Sequence, residues 1–324
     1  MTKWSFTKGL HDLGAGCHAY LQPDGSWGWS NAGLVTDSGE ALLVDTLMDL
    51  RLTGEMLTTM RQNVPAAARI GTLVNTHSNP DHTFGNQLVS GAQIIASTAC
   101  AREMRDLPPP SAPGSIRRDW AKLGEAGAFF QEVMGSRFSI EGITLTFPTQ
   151  TFDDKLVLEV GDKKVHLVEV GPAHTGGDVV VFVPQDRVVF TGDILFMKGH
   201  PVVWNGPVSN WIRACDLMLG WDIDIVVPGH GPITDKSGIR GLKQYFEYVR
   251  DQSRKYYDAG IGYEEAARGI ALDAFADWLD PERIVVNVLA WYREFSGDQS
   301  EINSLALRGA MARLYFERRR SGVR

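Results

Sequence analysis

The segment Thr76-His77-Ser78-Asn79-Pro80-Asp81-His82-Thr83-Phe84-Gly85-Asn86 gathers two imidazoles, a carboxylate and an amide into a few residues. It follows an apolar run, Ile70 to Asn75, that reads as a buried strand, and a helical pattern comes after it. Donors on one strand-to-helix loop can converge on a cation, and imidazole with carboxylate suits zinc, iron or manganese. Taken alone, the same residues also read as a polar loop in which Asp81 caps a helix and the histidines are incidental. Three later loops repeat the pattern of apolar strand, glycine-bearing turn and one ligand. They are Gly171-Pro172-Ala173-His174, Thr191-Gly192-Asp193 and Pro228-Gly229-His230. Glycine lets the chain turn sharply and brings the neighbouring side chain to the rim of a sheet.

These loops need strands to carry them. Gly33 to Thr36 and Ala41 to Asp45 flank the turn signal Asp37-Ser38-Gly39-Glu40, which predicts a hairpin. Leu50 to Arg61 has helical spacing, and Gln93 to Ala96 reads as a further strand. Leu107-Pro108-Pro109-Pro110-Ser111-Ala112-Pro113-Gly114 marks a break or insertion, because proline neither donates a backbone hydrogen bond nor continues a helix. Beyond it, Ala121 to Met134 is expected to be helical. Strands are expected at Ile143–Phe147, Lys155–Val160, Lys164–Val170, Val179–Val183, Arg187–Thr191 and Ile223–Val227. From Thr234 the pattern is helical. Asp280-Pro281-Glu282 predicts a helix start with an aspartate cap, Leu305 to Phe316 predicts a further helix, and Arg318 to Arg324 reads as a solvated basic tail. The architecture expected is α/β, with sites in the loops at strand ends.

Composition excludes several classes. The chain has 324 residues, 44% of them hydrophobic and 22% charged, with a net charge of −7. That is globular rather than disordered, long enough for one large or two ordinary domains, and unsuited to neutralising nucleic acid or an anionic membrane. The three cysteines, Cys17, Cys100 and Cys215, lie far apart and form no Cys-x-x-Cys pair, which fits a reducing compartment. No apolar run of signal length opens the sequence and no stretch approaches a membrane span, so a cytoplasmic protein is expected. With no cysteine framework, any metal must be held by some of the eight histidines and by carboxylates. Leu13-Gly14-Ala15-Gly16-Cys17-His18-Ala19 fits a dinucleotide spacing, but nothing before it reads as a strand and Pro23 breaks any helix after it.

The ordered set His77, Asp81, His82, His174, Asp193 and His230 resembles the signature of the metallo-β-lactamase superfamily of metal-dependent hydrolases. The resemblance runs from about residue 15 to about residue 235. It implies a four-layer αββα sandwich over residues 1–235, with an insertion near 105–136; the helical C-terminal region, 236–324, lies outside the signature and is expected to pack on this domain, cap it or mediate a homodimer. It also implies a cofactor of one or two zinc ions, with iron or manganese as substitutes. By the family pattern His77, residue 79 and His174 hold one metal, Asp81, His82 and His230 the other, and Asp193 bridges. Asp45, in Val44-Asp45-Thr46, resembles the family's supporting aspartate.

One position departs from that pattern: residue 79 is asparagine where the family has its second histidine. An amide oxygen is a poorer zinc ligand than imidazole. Three outcomes stay open: an empty or weakened first site, two metals with Asn79 as an oxygen donor, or a decayed site that binds without turnover.

The resemblance implies a metal-activated water attacking a small-molecule ester, thioester or lactone, with Asp81 orienting the nucleophile. A polyketide cyclase or thioesterase-like enzyme and a non-catalytic binding protein are the alternatives; β-lactamase activity is a weaker expectation, because a fold does not carry a substrate. Trp27, Trp29, Trp204 and Trp211 lie in loops that border the cleft in this fold and could line a pocket for an apolar or aromatic acyl group, or could simply pack those loops. His200, near Asp193 in sequence, is a candidate acid, base or hydrogen-bond donor.

Overall fold

A computed structural model of the chain describes residues 4–89, 91–112 and 118–321. The end of the proline-rich break (Pro113 and Gly114), the first three residues of the chain and the last three of the basic tail lie outside them.

Apolar residues at consecutive strand positions point to opposite faces, so two sheets buried on both sides need four apolar surfaces. The first sheet has the order β1 (Gly9–Gly14), β2 (Cys17–Leu21), β3 (Ala32–Asp37), β4 (Glu40–Val44), β5 (Thr72–Val74), β6 (Gln93–Ser97) and β7 (Gln150–Phe152). Pairing is antiparallel from β1 to β4 and parallel from β4 to β7. In the second sheet β8 (Lys155–Val160), β9 (Lys163–Glu169), β10 (Val179–Val183) and β11 (Val188–Phe190) run antiparallel, and β12 (Ile225–Val227) closes the edge parallel to β11.

The alternation sorts these strands cleanly. Leu42, Val44, Val74, Ile95, Val179, Val181, Val188, Phe190 and Val227 form the apolar layer between the sheets. Their neighbours Leu43, Leu73, Ile94, Val180, Val189 and Val226 face outward into a second cluster that includes the helices. Helix α1 (Leu50–Asn63) contributes Leu52, Met56, Leu57 and Met60, one stripe at helical spacing, and Asp49 caps it by accepting from the Leu52 amide at 2.7 Å. The short helix α2 (Pro80–Thr83), then α3 (Thr98–Asp106) and α4 (Gly124–Phe130), complete the first half. Helices α5 (Val208–Leu219) and α6 (Lys236–Asp258) add Trp211, Met218, Leu242 and Phe246 to the same outer cluster. The result is the αββα sandwich.

The β3–β4 hairpin forms as expected, with Ser38 and Gly39 both at positive φ (48° and 85°), the requirement of a two-residue type I′ turn. Other expectations fail for identifiable reasons. Ile143–Phe147 is in no strand: the open edge of β6 is taken by β7 instead, and the segment is tied down by the Asn86 and Gln87 side chains. A strand, β1, does precede the dinucleotide-like glycines, but strand β2 follows them rather than a helix, so no helix N-terminus faces a phosphate there. Ala121–Met134 is broken into a 3-10 turn, α4 and a π turn. Asp280 adopts a left-handed conformation (φ 59°) and makes no cap; its carboxylate meets Arg283 at 2.9 Å. Arg318–Arg320 form the last turn of a helix rather than a free tail.

The C-terminal helices α7 (Tyr263–Gly269), α8 (Ile284–Ser296) and α9 (Ser304–Arg320) share the outer cluster through Ala266, Val288, Trp291, Leu307 and Met311. Helix α9 packs on α4, where the Phe129 and Tyr315 rings meet edge to face at 5.0 Å. Among the described residues, no helix is long and apolar enough to cross a membrane, and all three cysteines are free and buried.

Leu43 is fully buried in the outer cluster. Leu43→Ala is expected to destabilise the fold by about 2–5 kcal/mol through lost burial and a residual cavity. Urea unfolding measures this, and a loss under ~1 kcal/mol would contradict the placement of this side chain in the core.

Candidate metal centre

Each ligand-type side chain named above leaves the end of a strand. Asp45 follows β4, His77 follows β5 by three residues, and His82 lies on α2, which Pro80 opens. His174 lies between β9 and β10, Asp193 follows β11 on a 3-10 turn, and His230 follows β12. Two glycines make the approach possible. A Cβ on Gly229 would lie 2.0 Å from Asp193 Oδ1, and one on Gly192 would lie 2.4 Å from Thr76 Oγ1.

Asp193 is the hub. Its carboxylate lies 3.1 Å from His82 Nε2, 3.3 Å from His174 Nε2, 3.4 Å from His230 Nε2 and 3.7 Å from His77 Nε2. Asp81 Oδ2 is 3.3 Å from His230 Nε2. All six side chains are buried.

The outer nitrogen of every ring is taken by a partner, which turns Nε2 inward. His82 Nδ1 donates to Asp45 at 2.9 Å, His174 Nδ1 to the Val202 carbonyl at 2.7 Å and His230 Nδ1 to the Gly25 carbonyl at 3.1 Å. His77 Nδ1 donates to Thr76 Oγ1 at 3.0 Å, and that hydroxyl donates in turn to Asp45 at 2.7 Å. Asp45 also accepts from the Thr76 amide at 2.7 Å, and its backbone occupies the left-handed region (φ 62°). One carboxylate thus orients two of the four rings.

Charge in the cluster is divided. Burial opposes ionisation of Asp193, but the four surrounding imidazoles outweigh it and hold its carboxyl well below the usual range. Burial likewise opposes a proton on His230, yet Asp193 and Asp81 override it and push the ring up to about 9. His82, between Asp193 and Asp45, is also raised, whereas burial keeps His77 and His174 low.

The donor set fits a cation. Among the described residues, the buried atoms His77 Nε2, His82 Nε2 and Asp193 Oδ1 have no hydrogen-bond partner, an arrangement that folded proteins rarely tolerate without an ion or water. Donor atoms of His77, His82 and Asp193, and those of Asp81, His82 and His230, each lie within 4.8 Å of one another. Asn79 points its Nδ2 at His174 Nε2, 2.9 Å away.

The remaining candidates are placed differently. The His200 ring is packed between Tyr245, whose hydroxyl is 3.0 Å from Nδ1, and Trp278; it touches none of the six side chains, and burial together with Arg283 pulls it down to about 3. Trp211 is fully buried behind His174, its ring 5.9 Å away, and donates to the Ile194 carbonyl. Trp27 is buried too, with Phe129 and Phe130 at its edges and Glu282 accepting from its Nε1 at 2.8 Å. Trp204 and Trp29 are partly exposed; Trp204 is 6.3 Å from Trp27, and Trp29 leans on Phe138.

Three contributors had no legible signal in the sequence. The Val202 and Gly25 carbonyls act through backbone atoms that every residue carries. Arg283 lies in a helix start, yet its guanidinium sits 4.1 Å over Trp27 and 5.3 Å from Phe196, which in turn stacks on His230 at 5.1 Å.

The sequence model of the metallo-beta-lactamase superfamily matches residues 25–230. A metallo-beta-lactamase type 2 from Bacillus sp. (strain 170) is 25% identical over 211 residues, covering 63% of this chain and 68% of that protein. Among solved structures, a metallo-beta-lactamase from Pontibacter korlensis aligns with a TM-score of 0.53 at 20% identity, covering 72% of this chain and 98% of that one. The stereoselective inverting sec-alkylsulfatase Pisa1 from Pseudomonas sp. aligns with a TM-score of 0.67 at 15% identity over 90% of this chain. The chain spans 50% of that protein's length.

Two outcomes follow from the ring network. Asp45→Asn is expected to weaken zinc affinity by about 10–100-fold, as loss of such an orienting partner does elsewhere, and competition with a chromophoric chelator reads it. A cation must also displace the proton that His230 holds below about pH 9. Affinity should therefore rise with pH from 6 toward 9, and calorimetry in two buffers should show proton release on binding. Buffer-independent heats would contradict the assignment.

Proposed function

The chain belongs to the metallo-beta-lactamase superfamily, and from that membership we propose that it is a metal-dependent hydrolase acting on an ester, thioester or lactone-type small molecule. The observation that carries this reading is the convergence of four inward-facing Nε2 atoms on Asp193, with buried donors left unpaired.

Donors for the cation are drawn from His77, Asp81, His82, His174, Asp193 and His230, and their chemistry favours zinc, with iron or manganese as substitutes. Such an ion supplies Lewis acidity, acidifying a water and polarising the carbonyl under attack. The protein's own part is orientation. Asp81, the most exposed of the six at 8%, would orient the nucleophile. Asp45 and Thr76 fix the rings of His82 and His77, so the donors need not reorganise during reaction.

For the acyl group, the partly exposed rings of Trp204 and Trp29 are the apolar surfaces nearest this reading; Trp27 and Trp211 support the wall from within. His200, neutral and enclosed by Tyr245 and Trp278, has no part in the chemistry. The free, buried cysteines support a cytoplasmic site of action. Alkyl sulfates form a second substrate class to test, because the sec-alkylsulfatase likeness extends over 90% of the chain, against 72% for the lactamase from Pontibacter korlensis.

The test is a panel of aryl esters, acyl thioesters, lactones and alkyl sulfates, assayed with zinc and after chelation. Zinc-dependent turnover of at least one class is expected, with product mass showing gain of water. Loss of water would favour a cyclase instead, and no turnover of any class would favour a binding protein. His82→Ala is expected to remove both turnover and bound metal; unchanged activity would contradict the site.

A further inference from the structure

We infer that Asn79 closes one half of the centre, so that this chain holds a single cation where the family signature provides for two. The inference rests on the metal-dependent reading above and concerns which donors remain available to it. His174 can offer a cation one atom, Nε2, because its Nδ1–H is committed to the Val202 carbonyl at 2.7 Å. That tautomer leaves a lone pair on Nε2, and the Asn79 Nδ2–H group lies 2.9 Å from it, so the lone pair already accepts a hydrogen bond.

The fold holds the backbones of both residues in place. The backbone of Asn79 is anchored at the start of α2, where its carbonyl accepts from the His82 amide and from Thr83 Oγ1, both at 3.0 Å. The His174 ring is fully buried and wedged edge to face against Phe196 at 5.6 Å and Trp211 at 5.9 Å. Its own carbonyl accepts from the amides of Trp204 and Asn205 at 3.1 and 3.3 Å. Turning the amide over would break this hydrogen bond and leave two acceptors facing one another unless a cation lay between them. A histidine at position 79 would instead bring a second ring nitrogen.

The rest of the cluster agrees. Among the described residues, both groups of three close donors omit His174, and the unpartnered buried atoms belong to His77, His82 and Asp193. The donors left for the cation are therefore His77, Asp81, His82, Asp193 and His230. His174 is a positioning residue, tied to Asn79 on one side and Val202 on the other.

The experiment uses the full chain, stripped of metal, reloaded with zinc and freed of excess by gel filtration. Elemental analysis is expected to give one zinc per chain. In protein carrying 15N-histidine, the His174 Nε2 resonance, assigned by its loss in His174→Gln, is expected to stay in place on loading while those of His82 and His230 move. Two zinc ions per chain, or a His174 Nε2 resonance that moves on loading, overturns the inference and leaves the hydrolase reading standing. No bound zinc overturns both. Asn79→His, shown to be folded by circular dichroism, is expected to take up a second zinc; if it stays at one, Asn79 is not what closes the site.

Discussion

Four imidazole nitrogens lie within 3.7 Å of one buried carboxylate, Asp193, and they arrive there from three separate segments of the chain. An isolated charge in such a place would cost several kcal/mol in lost hydration. The surrounding rings compensate, and the burial that makes the charge costly also makes those interactions strong. Each approach needs room as well as charge. Gly192 and Gly229 supply it, since a methyl group at either would collide with Thr76 or with Asp193 itself. Both sheets end at this point: β4 and β5 deliver Asp45 and His77 from one, and β9, β11 and β12 deliver His174, Asp193 and His230 from the other. The apolar layer between the sheets is thus the scaffold whose registration places the charges.

The C-terminal helices belong to that scaffold rather than standing apart from it. The turn before α8 carries Glu282 and Arg283 into the wall beside the centre. Burial and Asp280 push the Glu282 carboxyl up to about 7, and it accepts from the Trp27 indole. Arg283, itself fully buried, neutralises Asp280 and lies between Trp27 and Phe196, and Phe196 stacks on His230. A buried guanidinium linked in this way couples the packing of residues 280–290 to a ring in the metal cluster. The greater coverage of the sec-alkylsulfatase than of the Pontibacter lactamase is consistent with these helices being part of the fold proper.

Asn79 shows how one amide at the edge of the cluster can occupy a ring nitrogen that faces inward. Its Nδ2 donates to one nitrogen of the ring opposite, and the Val202 carbonyl takes the other. An amide N–H that donates there offers a cation no lone pair of its own.

Much of this was legible in the chain itself. Loop grammar named His77, Asp81, His82, His174, Asp193 and His230, because ligand chemistry restricts residue types and glycine marks the turns that carry them. Strand alternation and the Ser38-Gly39 turn disclosed the sheets for the same reason: period and turn stereochemistry are local. The tryptophans and His200 were ambiguous, since a ring can line a cleft or fill a core, and only the packing around Tyr245 and Trp278 placed His200 in the core. Ile143–Phe147 had strand composition, yet strands need a partner edge, and β6 had given its edge to β7. The partners of the four rings, the clamp of Arg283 on Trp27 and the pairing of Asn79 with His174 join residues up to 256 positions apart. Residue type and spacing determined which side chains could bind a metal; which atoms face one another is a property of distance in space, and only the folded chain decided it.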